Sequence, residues 1–306
     1  MDLTILILQG VIVAATPLLF AAIGELVVER AGVLNLGVEG MMIIGAVAGF
    51  SVTLETGSHM MGILAAMLGG MVFACLFGFL TQVLMSNQVA TGLSLTIFGL
   101  GIAALWGQAY SGMTTEPLAK LDIPGLTSIP IIGPLLLSHD ILVYMSIGLT
   151  IGVGWFLSKT RPGLILRAVG ENHDAAHAIG YNVVGVRMLA IMFGGACAGL
   201  GGAYLSMVQT PLWVENMTAG RGWIALAIVV FAAWKPNRAL LGAYLFGGVT
   251  VLQLHAQGFG VKIDAQYLFM LPYLVTIGVL VVISRDKTKA NLNAPACLAK
   301  SFYASS

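Results

Sequence analysis

The chain has 306 residues, of which 58% are hydrophobic and 9% charged, with a formal net charge of +1 and a mean hydropathy of +0.95. Ordinary soluble domains carry about 25% charged residues, so a soluble fold is excluded, and the near-neutral balance gives no argument for nucleic acid or a polyanionic substrate. Cys75 and Cys197 fall in apolar runs and Cys297 in the tail, which leaves no disulfide framework and no metal spacing.

Residues 56–115 contain no Asp, Glu, Lys or Arg for 60 consecutive positions. A spanning helix needs ~20 mostly apolar residues, so this run holds two spans and a link. Further charge-free runs lie at 3–24, 141–158, 188–214, 239–261 and 265–284. In chain order the pattern predicts spans near 3–23, 34–52, 60–82, 89–110, 140–158, 188–208, 221–234, 239–256 and 267–284. The expectation is an all-α polytopic membrane protein with about nine transmembrane helices, in a range of eight to ten. The 221–234 run is short and 89–110 is Gly-rich, so either could be broken or re-entrant. Residues 1–285 form the transmembrane domain and 286–306 a cytoplasmic tail. Asp2 and the lack of a basic start make 3–23 a retained helix rather than a signal peptide.

Basic residues orient such a chain. With the C-terminus inside, Arg30, Lys159, Arg161, Arg167, Arg187, Lys235, Arg238, Arg285, Lys287, Lys289 and Lys300 are cytoplasmic, which is eleven. Lys120, Lys262 and Arg221 are the three outside. Nine spans then put the N-terminus outside.

Two connections stand out. The external segment 111–139 carries Pro117, Pro124, Pro130 and Pro134, which favour extended or turned backbone. The cytoplasmic segment 159–187 is the most charged part of the chain. In it, Asn172 can cap a short helix with Asp174 in its first turn. Ala175, Ala176, Ala178 and Ile179 give it small apolar positions, and Gly180 gives a stop. A helix this short is unstable alone and must dock on something. His173 and His177 lie four apart, but without a third ligand they read as solvated loop histidines.

The segment GELVVERAGVLNLGVEGMMIIGAVAGF, 24–50, is the second notable stretch. Glu25, Glu29 and Arg30 fall at the cytoplasmic end of the first span, where they can reach water. Asn35 and Glu39 fall inside the next apolar stretch, one turn apart on one helical face. An intramembrane carboxylate points to function by default; pairing with Arg30 or capping a neighbouring backbone is the plainer reading. Gly195 and Gly199, Gly45 and Gly49, and Gly148 and Gly152 repeat a small-xxx-small spacing that reads as close helix packing. No Gly-Lys dipeptide occurs, so the chain has no Walker A phosphate loop. No catalytic spacing, metal site or cofactor motif appears, and the chain reads as a non-enzyme.

The runs ERAGVLNLGVEGMM (29–42), RAVGENHDAAHAIGYNVVGVRMLAIMFGGACAGLGGAYLS (167–206) and GRGWIALAIVVFAAWKPNRALLGAYLFG (220–247) resemble the membrane permeases of ATP-binding-cassette importers. The branch serves branched-chain amino acids, ribose-like sugars and nucleosides, and the likeness is greatest to simple-sugar and nucleoside permeases. It implies a type II importer fold in a bacterial inner membrane, in which lipids surround the spans. The helix near 171–179 would be a coupling helix seated in a separate ATPase subunit, with Arg167, Glu171, Asp174, Ala175, Ala176, Ile179 and Gly180 at that contact. His173-Asp174 replaces the Pro-basic pair common there. The resemblance also implies an extracytoplasmic substrate-binding protein and a second, paralogous permease. Candidate path residues are Asn35, Glu39, Gln88, Thr91, Ser94 and Gln253. A branched-chain amino acid importer permease and an ion-coupled secondary transporter are the competing readings. The latter needs midplane ionisable groups and often inverted repeats, and Glu39 is the one candidate.

Overall fold

A computed structural model describes residues 3–121, 133–256, 267–268, 270–284 and 294–303. The helices are α1 (Leu3–Arg30), α2 (Val38–Thr56), α3 (His59–Gly78), α4 (Gln88–Gly107), α5 (Ile141–Lys159), α6 (Arg161–Glu171), α7 (His173–Ala178), α8 (Val183–Tyr204), α9 (Arg221–Phe231), α10 (Pro236–Ala256) and α11 (Leu271–Ser284). Phe79–Val83 and Leu205–Gln209 extend α3 and α8 as π-helical turns. No strand occurs among the described residues, only isolated bridges at Thr114–Leu212 and Lys120–Asp140.

Each short connection supplies its own cap. Ser58, Asn87, Asp140, Thr160, Asn172 and Asn182 accept backbone N–H groups at the starts of α3, α4, α5, α6, α7 and α8. These side chains satisfy donors that a helix start leaves open. Asp140 does so twice, at 3.0 and 3.2 Å, and also accepts the Tyr204 hydroxyl at 3.1 Å.

The core is α1, α2, α3 and α8, with α9 and α10 against α1. Glycines bring these helices together. A Cβ on Gly45 would overlap the Gly199 backbone, and one on Gly70 would lie 3.0 Å from the Gly199 Cα. Two of the three predicted small-residue pairs therefore do pack. The third does not: Gly148 and Gly152 meet nothing within 4 Å, because they lie on a face of α5 turned away from the core.

Six of the described helices are long and apolar enough to span a bilayer: Leu3–Arg30, Val38–Thr56, His59–Val83, Gln88–Tyr110, Ile141–Lys159 and Val183–Gln209. The expected nine are thus not all full-length apolar helices. The run at 221–234 becomes the 11-residue α9, and α11 has 14 residues. The Gly-rich run 89–110 is a continuous helix rather than a broken one. Of the Pro-rich segment, residues 122–132 (Pro124 and Pro130 included) lie outside the described residues, as do Lys262, Arg285, Lys287 and Lys289. Its described start rests on the α8–α9 connection, where Thr115 N–H donates to Pro211 O at 3.0 Å.

The first span differs most from expectation. It continues to Arg30, and Glu25 and Glu29 are buried rather than water-facing. Burial is possible because partners surround them. Glu25 Oε1 accepts the Asn35 N–H at 3.1 Å, and Glu29 Oε2 accepts the Trp234 indole N–H at 2.5 Å. Arg30 donates to the Trp234 carbonyl at 3.1 Å.

Candidate functional site

Between α1 and α2 the backbone leaves the helix at 31–37 while staying largely buried. Irregular backbone at membrane depth is tolerated only inside protein or along a cavity, so its polar groups need protein partners. Leu34 N–H donates to Gln88 Oε1 at 2.9 Å, and Asn35 N–H to Glu25. Gly37 N–H donates to Asn35 Oδ1 at 2.9 Å, and Leu36 O accepts the Thr96 hydroxyl at 3.0 Å. Helix α4 reaches this segment through glycine: a Cβ on Gly92 would lie 2.8 Å from Leu36 N.

Asn35 therefore does not share a helical face with Glu39. It sits in the break, and α2 starts at Val38. Glu39 crosses to another element, accepting Gly220 N–H at 2.8 Å and Gly222 N–H at 2.6 Å. It caps α9, where open N–H groups and the helix dipole favour a carboxylate. Arg221 is beside it and donates to Met217 O at 2.7 Å. The capping alternative for Glu39 is the one observed, and Arg30 is engaged by Trp234 instead. An 11-residue helix rises about 16 Å. The Glu39 end of α9 is thus separated by about half a bilayer core from the turn that holds Trp234.

The predicted path residues separate into three places. Asn35 and Gln88 meet at the break, Glu39 follows it at the start of α2 and turns to α9, and all three are buried. Gln88 Nε2 and Glu25 Oε2 there have no hydrogen-bond partner. Thr91 and Ser94 line a cavity of about 490 Å³ between the end of α3 and the start of α4, where the Thr91 and Ser86 hydroxyls lie 2.8 Å apart. Gln253 is buried on α10, whose main packing is on α1, α5, α9 and α11.

In the charged connection, α7 forms where the sequence places it. Asn172 Oδ1 accepts the Ala175 N–H at 2.9 Å, and Gly180 ends the turn at φ +94°. Only part of its expected docking face is free. Asp174, Ala175, Ala178 and Ile179 are exposed, as are Glu171 and Gly180, and Arg167 is half-buried. Ala176 instead faces its own chain, packed with Val169, Val183 and Phe302.

His173 is buried too, contrary to a solvated role. Its Nδ1 accepts from Arg187 Nη2 at 3.1 Å, and Phe302 meets its ring edge-on at 5.3 Å. Burial first, then the Arg187 charge, holds the imidazole below its ordinary pKa, with Asp174 acting the other way. His177 is exposed and takes the other contact with Phe302, at 5.2 Å. No group of three metal-ligating side chains occurs among the described residues.

The sequence profile of the branched-chain amino acid transport system / permease component family matches residues 7–281. The chain belongs to this permease family. A Haloferax volcanii protein named provisionally as a glucose ABC transporter permease is 39% identical, over 97% of each chain. A guanosine ABC transporter permease of Bacillus subtilis is 33% identical, over 94% of this chain and 95% of its own. A nucleoside ABC transporter permease of Lactococcus lactis is 33% identical, over 90% and 91%.

The permease is thus a multi-pass transport component whose buried polar residues bond across elements. Several of them escape a sequence reading. Trp234, Gly220 and Gly222 bond to carboxylates about 200 positions earlier, a pairing that spacing does not reveal. Arg187 did carry a signal, as a cation followed at once by the apolar run of α8.

Proposed function

We propose that this permease is the membrane subunit of an ATP-driven importer for sugars or nucleosides. The observation that carries the proposal is near full-length identity of 33–39% to permeases named for glucose, guanosine and nucleosides. Hydrolysis of ATP belongs to a separate subunit docked on the exposed surface of α7 and its flanks, with Glu171 at the end of α6, Asp174 and Ala175 on α7, and Ile179 just after it as contact residues. A binding protein delivers cargo to the opposite side, near the Pro-rich segment, and a paralogous permease completes the membrane pair.

The nine-span topology keeps the N-terminus outside and the C-terminus inside, with α9 and the segment before it together crossing as one broken span. The half-length of α9 and its cap by Glu39 support that arrangement, since discontinuous helices ending near the midplane recur in transporters. The substrate path runs past Gln88, Thr91 and Ser94, where mild polarity and weak binding allow release.

Uptake by sealed vesicles containing the permease with its ATPase and binding-protein partners tests the proposal. Nucleoside or sugar uptake that needs ATP and survives collapse of ion gradients is expected. Uptake that follows a proton or sodium gradient without ATP would overturn it.

A further inference from the structure

Helix α7 has six residues and cannot hold itself in place. Two features fix it to the membrane core. One is Arg187, whose side chain is wholly buried at the start of α8. Its Nε donates to Ala31 O at 3.1 Å, at the end of α1 where the irregular segment begins. Its Nη1 donates to Lys300 O at 3.1 Å and to Gln82 Oε1 at 3.5 Å, and its Nη2 to His173 Nδ1. One cation thereby joins the coupling helix, the ends of α1 and α3, and the tail. Every one of these acceptors is neutral, so hydrogen bonds rather than a directly bonded carboxylate hold the buried charge, with the Asp174 charge favouring it from beyond His173.

The other feature is the tail itself. Cys297 N–H donates to Gly170 O at 2.9 Å, and Ala296 N–H to Glu171 Oε2 at 3.4 Å, at the end of α6. Phe302 then lies across both histidines of α7 and against Ala176. Residues 294–303 thus touch α6, α7 and Arg187.

We propose that residues 294–303 and Arg187 form a latch that transmits displacement of α7 to the ends of α1 and α3. Arg187 and Phe302 are positioning residues within it. A push on α7 with the latch closed reaches Ala31, the entrance to the broken segment that leads to Glu39. With the latch open, α7 is held only by its covalent connections and by the packing of Ala176 on Val169 and Val183, and most of the push dissipates. The inference rests on the reading that an ATPase docks on α7.

The test uses the full complex of permease, ATPase and binding protein in proteoliposomes, with substrate moved per ATP hydrolysed as the readout. Three permeases are compared with the intact one: a chain ending at Ala294, Phe302→Ala, and Arg187→Lys. Each is expected to keep the ATPase subunit on purification and to hydrolyse ATP, while transport per ATP falls about tenfold, in the range of ordinary coupling energies. An unchanged ratio in the truncated chain and in Phe302→Ala overturns the latch. Loss of the ATPase from both would also overturn it, by making the tail a docking surface instead. Ala175→Cys in the otherwise intact permease separates the two readings. If it forms no crosslink to the ATPase, the docking reading fails and the latch with it; a crosslink alongside an unchanged ratio removes the latch alone.

Discussion

The Glu39 carboxylate accepts the Gly222 N–H at 2.6 Å, joining residues 183 positions apart in the chain. With the Gly220 bond it closes the open end of α9. A carboxamide keeps one acceptor oxygen but turns an NH₂ group toward a backbone N–H. Glu39→Gln is expected to lower stability by roughly 1–2 kcal/mol, and Glu39→Ala by about 3 kcal/mol, since charge-assisted caps exceed neutral ones. Thermal unfolding of the purified permease in detergent checks the order. Equal midpoints for the three proteins would remove the cap from the account.

Glycine substitutions divide by face. Gly199→Val drives a side chain into the α3 backbone at Ala66 and is expected to cost roughly 1–3 kcal/mol or to prevent folding. Gly148→Val meets open space and is expected to leave folded yield and unfolding temperature near those of the original. Fluorescence-detected size exclusion distinguishes the two; matching profiles would contradict the packing.

Low pH is expected to loosen α7. Neutral His173 accepts the Arg187 hydrogen bond at Nδ1, and its pKa is held down by burial, by Arg187 and by Lys300, against Asp174. Its folded value is lower than the ordinary one of about 6.5. The unfolded chain therefore binds more protons between the two values. The stabilisation is fully present above about 6.5 and is lost as pH falls through the lower folded value. Unfolding temperature should drop between pH 7 and 5, and less steeply in His173→Gln, whose amide oxygen accepts without titrating. Parallel pH profiles would show that His173 does not matter here.

The contacts of the tail also bear on topology. Because 294–303 bonds to α6, α7 and Arg187, the C-terminus and the charged connection share one side. Reporters fused after Tyr303 and inserted at Gly180 are expected to read cytoplasm, and one at Gly112 the outside. Opposite signals at all three would reverse the proposed orientation.

Local chemistry explains which features the sequence displays. Charge gaps mark the long spans because each must be apolar along its own length. Asn172 and Gly180 mark α7 because a cap and a left-handed stop act within a few residues. The same gap-reading ends the first span at the first charge, and so misplaces Glu25 and Glu29, which are buried by partners that only the fold supplies. Gly148 and Gly152 show the converse. Their spacing matches that of Gly195 and Gly199, yet spacing does not say which face a helix turns inward. Ala176 and Ala175 are adjacent and similar, and the six-residue helix turns one in and the other out.

The bond between Glu29 and Trp234 also has a schedule. The two residues are 205 positions apart, so at synthesis rates of about 5–20 residues per second the carboxylate waits roughly 10–40 s for its indole. Helix α1 emerges before the helices that cover it, and most of its second half is buried by α8, α9 and α10. During that interval Glu25 has Asn35 nearby, ten residues on, while the indole bonded to Glu29 is still to come. Helix α1 is thus finished only after helices made long after it, and a chain stalled before Trp234 would leave the Glu29 carboxylate without its indole.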